Sequence, residues 1–270
     1  MTLRDLMAGK VPETLIKLVP KRFDVIGDVA VISIPPQLYD HRNIIATELA
    51  AMRSDVRTVL NKVSKLDGEK RVASFETLLG DDTVTTHREY KYIYRLDVSK
   101  MFFNSRLGYE RNRVASEVKE GESVIVPFCG VGPFAIPAAG NGAEVIAVEK
   151  NAQACRYLAD NLRLNKIGAN MHIIHADAFD IPKMLKAEFD RAIVPTPYGL
   201  DNFLWTIEPL IREGGTIHFY TFKTEEELEG LIKEYEDRGL ETKLCRKCGN
   251  VAPGVSRWAF DLVKRKNKTY

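Results

Sequence analysis

From residue 123 onward, short apolar runs alternate with longer segments in which apolar residues recur at helical spacing. The apolar runs predict strands at residues 123–128, 144–149, 171–176, 189–195 and 214–222. The segments between them predict helices at residues 133–139, 152–165, 180–186 and 200–212. Strands that alternate with helices in this way favour a parallel sheet whose strands are joined by helical crossovers.

The last part of the chain breaks this alternation. A helix is predicted at residues 225–237, and two strand-like runs follow at residues 241–247 and 256–263. Glycine, asparagine and proline lie between these two runs and predict a turn there. A parallel sheet that ends in an antiparallel hairpin differs from the sheet of a nicotinamide-dependent dehydrogenase. It is typical of S-adenosylmethionine (AdoMet) transferases.

The first hundred residues have a different pattern, without a glycine-rich loop. A hairpin is predicted over residues 23–34, with its turn at Gly27-Asp28, and a helix over residues 41–52. Short alternating runs predict strands at 56–63, 75–79, 83–87 and 92–96, and a helix follows over 104–118. We therefore expect a small α+β domain at residues 1–100 that faces RNA, and a transferase domain at residues 101–270.

The bulk composition excludes several classes of protein. The chain has 270 residues, 45% of them hydrophobic and 28% charged, and a net charge of +2, which is typical of a globular protein. Its apolar runs are far shorter than the ~20 residues of a membrane span, and its first residues lack the apolar core of a signal peptide. We expect a cytoplasmic monomer that does not associate with membranes.

The cysteine pattern gives little support to a metal site. Cys245 and Cys248 form a single CxxC pair, and no second pair or suitably spaced histidines follow. A structural zinc site needs four ligands, so we predict that no metal is bound.

Local charge is more informative than net charge. Residues 90–113 contain six basic residues interleaved with aromatic ones, a mixture that suits phosphates and unstacked bases. From this stretch we predict that Lys91, Lys100 and Arg113 contact RNA.

The strongest chemical signal lies where the first two predicted parallel strands end. The first strand runs into Phe128 and a loop with Gly130 and Gly132, and the second ends in Glu149, 17 residues after Gly132. Glycines let a backbone approach a ligand closely, and an acid at the next strand tip can accept hydrogen bonds from a ribose diol. Ala135 stands in the place of the third glycine of a dinucleotide-binding G-x-G-x-x-G loop, so the all-glycine motif is incomplete here. The order therefore predicts AdoMet.

Two further strand ends carry candidate residues. Asp177, with the backbone amide of Ala178, follows the third strand, where it can reach an adenine edge. The fourth strand ends in Pro195-Thr196-Pro197-Tyr198, where enzymes of this architecture place residues that face the transferred group. Tyr198 can stack on a base.

These residues together resemble a known family, the archaeal and eukaryotic tRNA transferases that modify the guanosine 3′ to the anticodon. One branch contains guanine-N1 methyltransferases, and the other contains wybutosine-pathway enzymes that transfer the 3-amino-3-carboxypropyl group of AdoMet. The matching stretches are 79–87 (LGDDTVTTH), 96–103 (LDVSKMFF), 106–107 and 110–113 (RL and ERNR), 130–134 (GVGPF), 147–151 (AVEKN), 161–165 (NLRLN), 215–220 (GTIHFY) and 252–254 (APG). The resemblance covers residues 20–265 and implies a class I AdoMet-dependent methyltransferase fold, which is Rossmann-like.

The resemblance also implies roles for particular residues. AdoMet would be the donor and the anticodon region of tRNA the acceptor. Arg106 stands where the methylating branch has an arginine next to the target guanine. Asn104 and Arg111 stand where the family contacts the methionine end of the cofactor. Lys150, next to Glu149, would also bind the cofactor. The catalytic residues would be Arg106, Pro195 and Tyr198.

The sequence departs from the family at three places near the site, one of which is Asn104-Ser105 in place of Ser-Pro after the pair Phe102-Phe103. Pro127 replaces an aspartate before the glycine loop, and Pro195 stands where the methylating branch has an asparagine. We predict methyl transfer to guanine N1, for which Glu110, Asp180 and Asp201 are candidate general bases. The first alternative is aminocarboxypropyl transfer to the wybutosine precursor in tRNA. A further alternative is an RNA-binding module with a vestigial AdoMet pocket.

Overall fold

The computed structural model describes residues 2–63 and 74–266. Contacts between residues divide the chain into two units, Met1–Arg106 and Leu107–Tyr270. In the described part, no helix combines the length and the apolar character that a membrane span requires.

The first unit has mixed α and β structure. Its strands are β1 (Asp24–Ile26), β2 (Val29–Ile32), β3 (Thr58–Lys62), β4 (Phe75–Leu79), β5 (Val84–Glu89) and β6 (Tyr92–Asp97), and its helices are α1 (Leu3–Leu6) and α2 (Arg42–Met52). Short 3-10 helices span Glu13–Leu18 and Pro36–His41, and a third, Ser105–Leu107, contains the last residues of this unit and the first of the next. Strands β1 to β4 form one sheet in chain order, and β5 pairs with β6 in a separate hairpin. The turn predicted at Gly27-Asp28 is confirmed, with Gly27 at a φ of +58°.

The core of the first unit lies between helix α2 and the four-stranded sheet. Ile45, Ala46 and Leu49 on α2 are fully buried, at the spacing that puts them on one helix face. They belong to the same apolar cluster as Ala30 of β2 and Val59 of β3. Helix α2 therefore packs on the sheet through one apolar face.

The second unit is an α/β fold around a seven-stranded sheet. The strands are β7 (Ser123–Pro127), β8 (Glu144–Glu149), β9 (Met171–His175), β10 (Phe189–Val194), β11 (Ile211–Lys223), β12 (Leu240–Ala252) and β13 (Val255–Lys264). The helices are α3 (Gly108–Glu117), α4 (Ala135–Gly140), α5 (Ala152–Leu164), α6 (Ile181–Met184), α7 (Leu204–Ile207) and α8 (Leu228–Asp237), and 3-10 helices span Ala178–Asp180, Asp201–Phe203 and Glu208–Leu210.

The order of strands in this sheet is β12-β13-β11-β10-β7-β8-β9. Strands β7 to β11 pair in parallel, and β13 pairs antiparallel with both β11 and β12. The predicted parallel sheet with a terminal hairpin is therefore confirmed. Because the chain crosses from β9 back to β10 on the other side of β7, the carboxyl ends of β7 and β10 flank the switch point where such sheets bind ligands.

One element differs from its prediction. The helix expected at residues 200–212 is broken into a 3-10 helix, the four-residue α7 and a second 3-10 helix, and β11 already begins at Ile211. Pro209 lacks a backbone N–H, so a continuous α-helix cannot pass through it without losing a hydrogen bond.

Candidate cofactor and acceptor site

The loop after β7 has the backbone shape that its glycines predict. Gly130 and Gly132 have φ angles of +56° and +94°, in the left-handed region. A Cβ atom on Gly132 would lie 2.4 Å from Cδ1 of Leu158 on α5, so that position accepts only glycine. A Cβ atom on Gly130 would meet nothing within 4 Å. The loop therefore packs against α5 at Gly132 and is open beside Gly130.

Glu149 connects the tips of β7 and β8. Its Oε2 atom accepts a hydrogen bond of 2.9 Å from the Gly130 amide, and its Oε1 atom accepts one of 2.8 Å from the Asn151 amide. Each carboxylate oxygen has two lone pairs, so each can accept a further hydrogen bond. This arrangement holds the carboxylate beside the glycine loop and leaves it able to bind a ribose diol.

Asn161 secures the other side of the same loop. Its side chain on α5 is fully buried, and its Nδ2 atom donates a 3.0 Å hydrogen bond to the carbonyl of Val131. Ala154, Leu158 and Asn161 form the buried face of the helix. The sequence motifs predict no site role for Asn161, although a polar residue on an otherwise apolar helix face is a signal for one.

Asp177 and Lys150 meet at the next pair of strand tips. Lys150 Nζ lies 3.2 Å from Oδ2 of Asp177, and Oδ1 accepts a 3.0 Å hydrogen bond from the Phe179 amide. That amide hydrogen bond, with help from Lys150, lowers the pKa of Asp177 below its ordinary value. The ionised carboxylate can accept a hydrogen bond from an exocyclic amine such as that of adenine. Ala178, whose amide we predicted to help, is buried beside it.

Three phenylalanines form an aromatic wall near Asp177. The ring of Phe128 lies 4.6 Å from that of Phe203, which lies 5.1 Å from that of Phe179, both in edge-on geometry. Phe203 is fully buried, whereas Phe179 is 36% exposed. The exposed ring offers apolar surface to a flat base. We identified only Phe128 from the sequence, because the other two follow strand ends without a distinctive motif.

The turn after β10 exposes one aromatic ring. Thr196 folds back on Val194, whose carbonyl accepts a 2.7 Å hydrogen bond from the Thr196 amide. Pro195 is half-buried in this turn, and Tyr198 is 60% exposed with its ring 5.2 Å from that of Phe222 on β11. The structure therefore places Tyr198 at the same sheet edge as the glycine loop.

Four of the predicted site residues belong to the first unit: Lys91, Lys100, Asn104 and Arg106. Arg106 Nε lies 2.6 Å from Oδ1 of Asp24, and the Arg106 amide donates a 3.0 Å hydrogen bond to the Asn104 side chain. Lys91 and Lys100 are exposed, and Lys100 pairs with Asp97 at 3.0 Å. Arg106 also lines an open pocket of about 560 Å³ together with Lys21, Arg22, Phe23, Asp24, Val25, Arg53 and Ser105.

Arg111 and Arg113 lie on α3 of the second unit. Arg111 is 2% exposed. Arg113, which is predicted to contact RNA, has its guanidinium 2.6 Å from Glu110 and 2.6 Å from Asp261. Although burial opposes it, these hydrogen bonds raise the pKa of Arg113 far above its ordinary value. The charge of Arg113 is therefore compensated within the protein.

The charge network around Arg113 continues to His218. Nδ1 of His218 lies 2.6 Å from Oδ1 of Asp261, and Nε2 lies 2.6 Å from Nη1 of Arg191. Glu117, His218 and Asp261 could be taken for a metal site from their spacing alone. The Arg191 guanidinium occupies the histidine nitrogen that a metal ion would need and would repel that ion. The cluster is therefore an ionic network.

Comparison with known protein families identifies the family of this chain. The profile of the TRM5/TYW2 methyltransferase domain matches residues 85–244, and that of the TYW2 N-terminal domain matches residues 3–83. The chain belongs to the TRM5/TYW2 family. The family predicted from the sequence is thereby confirmed, and so is the class I AdoMet-dependent fold.

Relatives in the TRM5/TYW2 family act at one position of tRNA. The chain is 37% identical over 216 residues to tRNA (guanine(37)-N(1))-methyltransferase Trm5b of Pyrococcus abyssi, and the match covers 80% of this chain and 64% of that protein. It is 33% identical over 271 residues to tRNA(Phe) (4-demethylwyosine(37)-C(7)) aminocarboxypropyltransferase of Pyrococcus horikoshii, and the match covers 96% of this chain and 95% of that protein.

Solved structures of the TRM5/TYW2 family include ligand complexes. TYW2 of P. horikoshii in complex with MeSAdo superposes with a TM-score of 0.78 at 30% identity, covering 97% of each chain. The complex of aTrm5 and tRNALeu superposes with a TM-score of 0.87 at 28% identity, covering 97% of this chain and 78% of that chain. The prediction of an AdoMet-dependent transferase family is confirmed by these relatives.

Proposed function

We propose that this chain transfers a group from AdoMet to the guanosine 3′ to the anticodon of tRNA. The observation that carries the proposal is the position of Glu149, which is held by the amides of Gly130 and Asn151 at the tip of β8, beside the glycine loop. An ionised Asp177 follows at the neighbouring strand tip. The Asp177 carboxylate, next to an acid that can bind a ribose diol, suits the adenosine group of a cofactor. Membership of the TRM5/TYW2 family supports AdoMet as that cofactor and tRNA as the acceptor.

The residues of the chain would act mainly by positioning the reactants. Glu149 would hold the ribose, Asp177 and the Phe179 ring would hold the adenine, and the open backbone at Gly130 would let the cofactor approach. The sulfonium of bound AdoMet supplies an activated carbon, so no metal is required. Aligning a nucleophile with that carbon accounts for a large part of the rate acceleration in such reactions.

Arg106 would polarise the acceptor base. A guanidinium fork can donate to O6 and N7 of a guanine and stabilise negative charge as N1 loses its proton. Its ion pair with Asp24 fixes one nitrogen of the fork and leaves the others to donate. This role is inferred from the resemblance of the motif around Arg106 and from the chemistry of arginine.

We propose methyl transfer to guanine N1 as the reaction, supported by the identity shared with Trm5b over 216 residues. That reaction needs a base to remove the N1 proton. Glu110 is buried and contacts Arg113 and the Tyr220 hydroxyl, while Asp180 and Asp201 pair with lysines near the surface. Glu110 is the candidate that lies on the same helix as Arg111.

A second reaction, transfer of the aminocarboxypropyl group, is favoured by a separate observation. Residues 3–83 match the TYW2 N-terminal domain, and the alignment with the aminocarboxypropyltransferase extends over 96% of this chain. Both reactions are displacements at a carbon of the same sulfonium. They differ in which carbon faces the acceptor, so the same cofactor contacts serve either one.

Nucleoside mass spectrometry distinguishes these reactions. The purified protein is incubated with AdoMet and with tRNA that carries either guanosine or 4-demethylwyosine at position 37. A methyl group gained on guanosine supports the first reaction, and an aminocarboxypropyl group gained on 4-demethylwyosine supports the second. No gain on either tRNA, together with no heat of AdoMet binding at millimolar cofactor, would leave an RNA-binding module and refute the proposed function.

A further inference from the structure

Arg257 lies at the same sheet edge as the proposed site, yet no role follows for it from the motifs. It is on β13, paired in register with Phe222 near the carboxyl end of β11. Its Cζ atom lies 4.9 Å from the centroid of the Phe222 ring, and that ring lies 5.2 Å from the ring of Tyr198. Three side chains from neighbouring strand ends therefore form one platform of two rings and a guanidinium.

The charge of Arg257 has no acidic partner in the described part of the chain. Arg257 is half-buried, and two other arginines of the unit differ from it in having an acidic partner, since Arg113 pairs with Glu110 and Arg191 pairs with Glu122. Burial lowers the pKa of Arg257, and the nearby charge of Arg111 lowers it further. Withdrawing a guanidinium from water without a counter-charge destabilises a protein.

The polar neighbours of Arg257 do not supply the missing charge. The Cys248 thiol and the Tyr220 hydroxyl are the polar groups that act most strongly on the pKa of Arg257. Each could balance the guanidinium charge only if it were deprotonated. Burial raises the pKa of the Cys248 thiol to about 11 and that of the Tyr220 hydroxyl well above its ordinary value. Both groups are therefore neutral near pH 7 and do not supply a counter-charge for the guanidinium.

We propose that Arg257 binds an oxyanion in the transferase site, with Phe222 and Tyr198 as the platform beneath the molecule that carries it. The inference rests on the proposed function, which brings two oxyanions to this edge. One is the carboxylate at the methionine end of AdoMet, for which Arg111 next to Arg257 is already a candidate contact. The other is a backbone phosphate of the RNA acceptor. A guanidinium fork can bind either in bidentate geometry.

The test compares Arg257→Gln and Arg257→Lys with the wild-type protein. The ligands are AdoMet, 5′-deoxy-5′-methylthioadenosine, which has the same nucleoside but no carboxylate, and a tRNA transcript with guanosine at position 37. Arg238→Gln is the matched control, because Arg238 also stacks on an aromatic ring, 3.3 Å from the Trp205 centroid, but precedes β12 at the opposite edge of the sheet.

Each source of the oxyanion has its own result. If it is the cofactor carboxylate, Arg257→Gln binds AdoMet at least about tenfold more weakly and binds methylthioadenosine as the wild type does. If it is a phosphate, tRNA binding weakens at least about tenfold with AdoMet affinity unchanged, and the salt dependence of tRNA binding decreases by about one counterion. In either case, Arg257→Lys recovers part of the affinity and Arg238→Gln retains all of it.

Other results overturn the inference. Unchanged affinity of Arg257→Gln for both AdoMet and tRNA would do so. Without ligand, Arg257→Gln should unfold at the same or a higher temperature than the wild type, because it removes an uncompensated charge. A large fall in unfolding temperature would instead assign Arg257 to the fold. A wild-type protein that binds neither AdoMet nor tRNA would refute the proposed function itself, which separates the two failures.

Discussion

The carboxylate of Glu149 accepts a hydrogen bond from the amide of Gly130, 2.9 Å away, and so joins the tip of β8 to the loop that follows β7. A glycine-rich loop and an acid 17 residues later are separate features of the sequence, whereas in the fold they form one structure. The acid orients the loop, and the loop keeps the acid beside the space that the cofactor would occupy. A substitution of either residue is therefore expected to affect cofactor binding.

Replacing Glu149 with glutamine should weaken AdoMet binding. The amide nitrogen of the new side chain cannot accept a hydrogen bond, so either a backbone N–H or a ribose hydroxyl loses its acceptor. A lost hydrogen bond to a charged group corresponds to about 1.5–3 kcal/mol, or roughly a 10- to 100-fold rise in Kd. Isothermal titration calorimetry measures the change. Glu144→Gln, an exposed acid at the other end of β8, is the control. An affinity unchanged in Glu149→Gln would argue against diol binding by this residue.

The two loop glycines should respond differently to alanine. Gly132→Ala introduces a methyl group 2.4 Å from Leu158 at a left-handed φ, so we expect a loss of about 3 kcal/mol in the free energy of unfolding. Gly130→Ala has the strained φ but no clash within the protein, so we expect a loss of about 1 kcal/mol. Its methyl group would extend into the open space beside the loop and weaken AdoMet binding. Urea denaturation and calorimetry measure the two effects. Equal stability of the two variants would contradict the packing at Gly132.

Much of the second unit could be predicted from its sequence, because its apolar runs and helical periods are local signals. The strand ends that carry Gly130, Glu149 and Asp177 were identified for the same reason. What the sequence did not reveal depends on contacts between distant residues. The pairing of Arg113 with Asp261, 148 positions away, is one such contact. The edge-on contacts of Phe203 with Phe128 and Phe179 likewise correspond to no local pattern in the sequence.

Arg106→Ala should abolish most of the group transfer and leave AdoMet affinity unchanged. Arg106 belongs to the first unit, and its proposed partner is the acceptor base, so the cofactor contacts of the second unit stay intact. Loss of a fork that stabilises charge in the transition state commonly lowers the rate by about 100- to 1000-fold. Single-turnover assays with saturating tRNA measure the rate, and calorimetry measures AdoMet binding. Asp24→Asn, which removes the ion pair but keeps the arginine, should lower the rate far less. A parallel loss of rate and AdoMet affinity in Arg106→Ala would refute the assigned role.

The ionic network of Arg113, His218 and Asp261 should make the free energy of unfolding depend on pH in the acid range. Burial by itself would raise the pKa of Asp261, but its hydrogen bonds with His218 and Arg113 outweigh burial and lower it from 3.8 to about 2. Because the folded pKa lies below the unfolded one, this carboxylate stabilises the fold fully above about pH 4. The contribution is about 2 kcal/mol and is lost as the pH falls from about 4 to about 2.

Asp261→Asn isolates that contribution. At pH 7 we expect the variant to be less stable than the wild type by about 3 kcal/mol, because it leaves Arg113 and Arg191 with less compensating charge. The difference in free energy of unfolding should shrink by about 2 kcal/mol between pH 4 and pH 2, where the wild-type carboxylate becomes protonated as well. Urea denaturation across this range measures both quantities. Asp160→Asn, on the exposed surface of α5, should show no comparable change with pH. A difference between Asp261→Asn and wild type that stays constant from pH 4 to pH 2 would mean that Asp261 does not titrate with the lowered pKa.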